Sequence, residues 1–73
     1  GGFYFKGKRD DSLVELLHAG PAIKATVHRL GDRALLTIFN AARETAKVTW
    51  RFDGKEASRE VEAQGFAQIE LKR

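Results

Sequence analysis

Seventy-three residues make one domain near the lower size at which a single apolar core suffices, and leave little room for a buried catalytic cleft. The absence of cysteine excludes a disulfide framework, a thiolate metal site and a cysteine nucleophile, while 42% hydrophobic and 32% charged residues describe a globular chain. Thirteen Lys and Arg against ten Asp and Glu give +3, which permits an anionic partner without requiring one, and no apolar run approaches the ~20 residues of a membrane span, so the chain reads as soluble with no membrane partner.

There is no methionine, and Gly1-Gly2 could be left by a cleaved expression tag, so the chain is expected to be a fragment. Near the start, Gly2-Phe3-Tyr4-Phe5-Lys6-Gly7-Lys8 has the glycine and lysine spacing of a phosphate-binding P-loop. Arg9 stands where the magnesium-binding Ser or Thr belongs, bulky aromatics fill the loop, and no parallel βαβ pattern surrounds it. A terminal strand over Phe3-Tyr4-Phe5 is the better reading. Ser12 and Glu15 form a capping-box pattern ahead of Leu13, Leu16 and Leu17, which predicts a short helix over 12–19 stopped by Gly20-Pro21. Two turns are unstable alone, so this helix is expected to lie across an apolar face around Phe39, with large stability losses for Phe39→Ala and Leu16→Ala.

After Pro21 the pattern has period two. Segments 23–30 and 33–40 flank Gly31-Asp32, a tight hairpin turn that sets Val27 opposite Leu36 and Ala25 opposite Ile38 on a core face. Thr26 then meets Thr37, and Lys24 meets Phe39, on a mixed face that also holds Leu35 and His28. Segment 46–52 alternates Ala46, Val48, Trp50 and Phe52 with Lys47, Thr49 and Arg51, and Asp53-Gly54 folds its partner back. Arg51 is thereby set against Glu56, Thr49 against Ser58, Lys47 against Glu60 and Trp50 against Ala57. The same register puts Arg59 beside Val48 on the inward side, which calls for a bulge or for the arginine stem to lie over Trp50. Gln64-Gly65 turns into a closing strand of Ala67, Ile69 and Leu71 alternating with Gln68, Glu70 and Lys72. The expectation is a mostly β fold: a small antiparallel β-sandwich of five to six strands with one short N-terminal helix.

No constellation for catalysis emerges. Ser12 is explained as a helix cap, Ser58 faces Thr49 on a charged strand, and His18 and His28 lack metal-ligand spacing. Asp10 and Asp11 suit a helix start, Asp32 and Asp53 are turn residues, and the glutamates alternate with basic partners. No catalytic, cofactor-binding or metal residue is therefore assigned. Phe3-Tyr4-Phe5-Lys6-Gly7-Lys8-Arg9 interleaves rings and cations as a nucleic-acid surface does, but the remaining cations are scattered and matched by acids, which weighs against nucleic acid. Trp50 shares the core phase, which leaves Tyr4 as the better exposed ring for carbohydrate stacking.

Residues 33–40, Arg-Ala-Leu-Leu-Thr-Ile-Phe-Asn, the strand Ala46-Lys47-Val48-Thr49-Trp50 and the closing Gly65-Phe66-Ala67-Gln68-Ile69-Glu70-Leu71 resemble the small C-terminal β domain of many glycoside hydrolases, such as α-amylase-type enzymes and β-galactosidases. The resemblance spans about residues 22–73. It implies a non-catalytic accessory domain at the tail of a bacterial enzyme of carbohydrate metabolism, with the catalytic domain of the parent chain as partner and the acid and nucleophile in that missing barrel. On this reading 1–73 is one small β domain, with 1–21 an N-terminal extension and 22–73 the antiparallel sandwich. Carbohydrate binding and a small nucleic-acid-binding barrel stand as the alternatives.

Overall fold

The computed structural model describes residues 7–73. The strand expected at Phe3-Tyr4-Phe5, and Tyr4 as an exposed ring, lie outside the described residues. Seven strands form in chain order: β1 (Lys8–Arg9), β2 (Val14–His18), β3 (Ile23–Leu30), β4 (Arg33–Asn40), β5 (Ala46–Phe52), β6 (Lys55–Val61) and β7 (Phe66–Lys72). They make two antiparallel sheets, one of four strands in the order β1-β3-β4-β7 and one of three in the order β2-β5-β6. This is consistent with a small β-sandwich.

Both hairpins take the register that their turns dictate. Val27 opposes Leu36, Ala25 opposes Ile38, Thr26 opposes Thr37 and Lys24 opposes Phe39 across β3 and β4. Gly31 alone supplies a positive φ, 63°, in the first turn, whereas Asp53 and Gly54 at 51° and 74° both do so in the second. In β5 and β6, Arg51 opposes Glu56, Thr49 opposes Ser58, Lys47 opposes Glu60 and Trp50 opposes Ala57. The pairing passes through Val48 and Arg59 without a bulge, and Arg59 is exposed. The conflict dissolves because β6 is an edge strand: Lys55, Ala57 and Arg59 on its inward side are all exposed, and only Val61 is buried.

One core joins the sheets. Val27, Ala34, Leu36, Ile38 and Ala67 from the four-stranded sheet pack with Val14, Val48, Trp50, Phe52 and Val61 from the other. Burying each large aliphatic or aromatic side chain contributes about 1.5–3 kcal/mol, the main favourable term for so small a domain. At the end of β4, Asn40 is fully buried. Its Nδ2 donates to the carbonyls of Glu44 at 2.8 Å, Val61 at 3.0 Å and Glu62 at 3.2 Å, and its Oδ1 accepts from the Ala42 amide at 3.0 Å. The crossover between the sheets is thereby pinned to the start of the β6–β7 turn.

The short helix over 12–19 does not form. One 3-10 turn, Asp11–Leu13, leads directly into β2, which pairs with β5 so that Val14 opposes Phe52 and Leu16 opposes Trp50. Asp10 rather than Ser12 caps the turn, its Oδ1 accepting from the Ser12 amide at 3.2 Å and from the Ser12 hydroxyl at 2.6 Å. The leucine spacing fits a helix, but so short an apolar run equally fits a strand, and Val14 favours one. Pairing with β5 supplies backbone partners and a buried site for Val14, which two isolated helical turns cannot match. A bulge between Leu16 and His18 shifts the register before the strand ends with His18 opposite Thr49. Residues 8–18 thus add a strand to each sheet.

Candidate functional site

The four-stranded sheet turns its second face outward, and the ladders order that face into rows. Lys24, Phe39 and Phe66 form one row across β3, β4 and β7, Thr26, Thr37 and Gln68 the next, and His28, Leu35 and Glu70 the third. Leu35 is buried, flanked by His28 and Glu70. Phe39 and Phe66 are 43% and 68% exposed. The two rings are direct cross-strand neighbours, so they form one apolar patch beside the Lys24 ammonium. The expected cover is absent: residues 14–18 belong to the other sheet, and Phe39 stands open to solvent. Phe66 escapes a sequence reading because β4 and β7 are not consecutive, and no turn sets their register. Its phase was the available signal, since it alternates with Ala67, Ile69 and Leu71.

The polar residues weighed for chemistry are dispersed. Arg9 holds Asp11 by two bonds, Nε to Oδ1 and Nη2 to Oδ2, both 2.8 Å, and Asp11 Oδ1 also accepts the Val27 amide at 2.9 Å. Those hydrogen bonds from Arg9, with that from Val27, lower the Asp11 carboxyl to about 2. The same pairing raises the Arg9 guanidinium. The group is a clasp between the 3-10 turn and β3. His28 lies opposite Arg9 on β3, and the hydroxyl of Ser12 is committed to Asp10. His18 and Ser58 flank Thr49 from opposite sides, two strand intervals or about 10 Å apart, beyond hydrogen-bond reach of each other. Arg51 sits between Glu15 at 3.6 Å and Glu56 at 3.3 Å. Trp50 is buried, as its phase requires. Among the described residues no group of His, Asp and Glu is placed to hold a metal ion, and no helix is long and apolar enough to cross a membrane. Compared with protein-family models, curated proteins and solved structures, the chain matches none.

Proposed function

We propose that this chain is a non-catalytic accessory β domain that docks through the outer face of its four-stranded sheet, as the C-terminal domain of a glycoside hydrolase rests on its catalytic domain. One observation carries the reading: Phe39 and Phe66 lie side by side and exposed on a regular sheet face, where two adjacent phenyl rings gain from removal from water. A catalytic domain in the same chain is the occupant that the strand pattern of residues 33–71 favours. Thr37 and Gln68 in the adjoining row offer hydrogen bonds at the rim of the patch.

The test begins with the full reading frame. In the protein it encodes, the amides of β4 and β7 around Phe39 and Phe66 should exchange with deuterium more slowly than in the isolated chain, and Phe39→Ser with Phe66→Ser should abolish the difference. A reading frame without a neighbouring catalytic domain, or exchange that is the same in both contexts, overturns the proposal. The two rings beside Thr37 and Gln68 also have the makings of a sugar-stacking platform. Saturable glycan titration of the isolated chain, lost in the same double variant, would favour that second reading.

A further inference from the structure

Each lateral side of the two-sheet stack is bounded by two strands that follow one another in the chain, β1 and β2 on one side and β6 and β7 on the other. The first side is closed. The 3-10 turn between β1 and β2 lies against β3, where the Asp10 amide donates to the Val27 carbonyl at 2.8 Å and Asp11 Oδ1 accepts the Val27 amide at 2.9 Å. The second side is joined by the 62–65 turn and opens away from it. Next to that turn Val61 and Ala67 are buried, but further along the inward rows Arg59, Ala57 and Lys55 of β6 are exposed, and Ile69 and Leu71 of β7 are half-buried.

The β7 border of this opening carries a free backbone ladder. The Asn40 amide donates to the Gly65 carbonyl at 2.9 Å and the Arg73 amide to the Asp32 carbonyl at 3.2 Å, so the bonds from β7 to β4 fall on odd-numbered residues of β7. The amides and carbonyls of Phe66, Gln68, Glu70 and Lys72 therefore point away from β4, where among the described residues no strand receives them. A strand added at this border would bond to them and remove the exposed parts of Ile69 and Leu71 from water. Its inward side chains would meet the exposed row of β6 across the sheet spacing of about 10 Å, where Lys55 and Arg59 stand on either side of Ala57. Among the described residues neither cation belongs to an ion pair. A purely apolar segment would cover both cations without a partner, whereas carboxylates on the same row would pair with them. A second copy of the chain fits poorly, because two-fold pairing of β7 with β7 would bring Lys55 and Arg59 of both copies to one joint. We propose that β7 binds an extended segment of a partner protein as an added strand, with apolar and acidic side chains together on its inward row. This goes beyond the docking of the outer sheet face, since it uses the border of the sheet and its backbone.

The test is a nuclear magnetic resonance titration of the labelled chain with a capped peptide, Thr-Glu-Thr-Val-Thr-Glu-Thr, which as a strand sets Glu, Val and Glu on one face. A version with Lys in place of Glu and a version N-methylated at every residue are the controls. The acidic peptide should produce saturable shifts and slowed deuterium exchange at the amides of Phe66, Gln68, Glu70 and Lys72, with neither control doing so. Lys55→Glu with Arg59→Glu should weaken the acidic peptide by about tenfold and make the lysine version the better ligand, as expected for two exposed charge pairs reversed. Both positions are exposed, so the melting temperature of the double variant should stay close to that of the native chain. Absence of saturable shifts along β7, equal binding of either control, or a preference for the acidic peptide that survives the charge reversal would each overturn the proposal. Sedimentation showing that the chain alone dimerises with the β7 amides protected would overturn it as well, by giving that border to a second copy.

Discussion

At Asn40 one carboxamide serves four backbone groups from the 40–46 crossover and the end of β6. Each buried group left without a partner costs about 1–3 kcal/mol, and part of that loss is recovered by relaxation. Asn40→Ala should therefore destabilise the fold by about 3 kcal/mol in urea denaturation, a large share of the 5–15 kcal/mol available to a small domain. Asn40→Asp should be no milder near neutral pH, because a carboxylate would face three carbonyl oxygens. An unchanged denaturation midpoint in both variants would remove the residue from this role. Asp11 makes a prediction in pH. Its carboxyl lies at about 2 in the folded chain against an ordinary 3.8, so the native state binds this proton less readily than the unfolded one. Its contribution is therefore present above about pH 4 and is lost as pH falls towards 2. The stability difference between the native chain and Asp11→Asn should shrink over that window, and a difference that is the same at pH 5 and pH 2 contradicts the clasp. Because the pair is exposed, added salt should reduce it as well.

Among the elements, β2 separates two readings of the same five residues, Val14–His18. A docked helix would make Leu16 a buried anchor, whereas in the strand Leu16 is 40% exposed and Val14 is buried against Phe52. Val14→Ala should then cost about 1–2 kcal/mol, and Leu16→Ala less, although leucine loses the larger side chain. The reverse order in thermal melts would restore the helix. The hairpins β3–β4 and β5–β6 were legible to the residue, because a two-residue turn fixes register and alternation fixes the face. The pairings β2–β5, β1–β3 and β4–β7 were not, since they join segments whose register no turn sets. The same non-local geometry hid Phe66 beside Phe39 and the carbonyls gathered by Asn40. Strand β7 itself was readable from Ala67, Ile69 and Leu71, but its partner was not.

For the whole molecule, the second face of the four-stranded sheet carries two unlike surfaces near opposite ends of β4. At one end Phe39 and Phe66 are exposed, and at the other Arg33 and Lys72 stand as cross-strand neighbours beside Glu70. Since both rings are exposed, Phe66 mostly and Phe39 in part, Phe39→Ser with Phe66→Ser should lower the melting temperature of the isolated chain far less than Asn40→Ala does, the small effect usual for exposed positions. A loss as large as that for Asn40→Ala would mean that the rings belong to the fold rather than to a partner. The exposed inward side of β6 has a further consequence. Lys55 and Arg59 point there from a strand whose outer backbone groups have no neighbour, and another chain adding to that margin would have to cover two cations. At the other sheet margins, among the described residues, β1 is only two residues long and β2 is bulged, whereas β7 is a long, regular border with no inward-facing cation. Fibril formation at high concentration should therefore begin at β7, and Lys55→Val with Arg59→Val should open a second route, read as a shorter lag in thioflavin fluorescence.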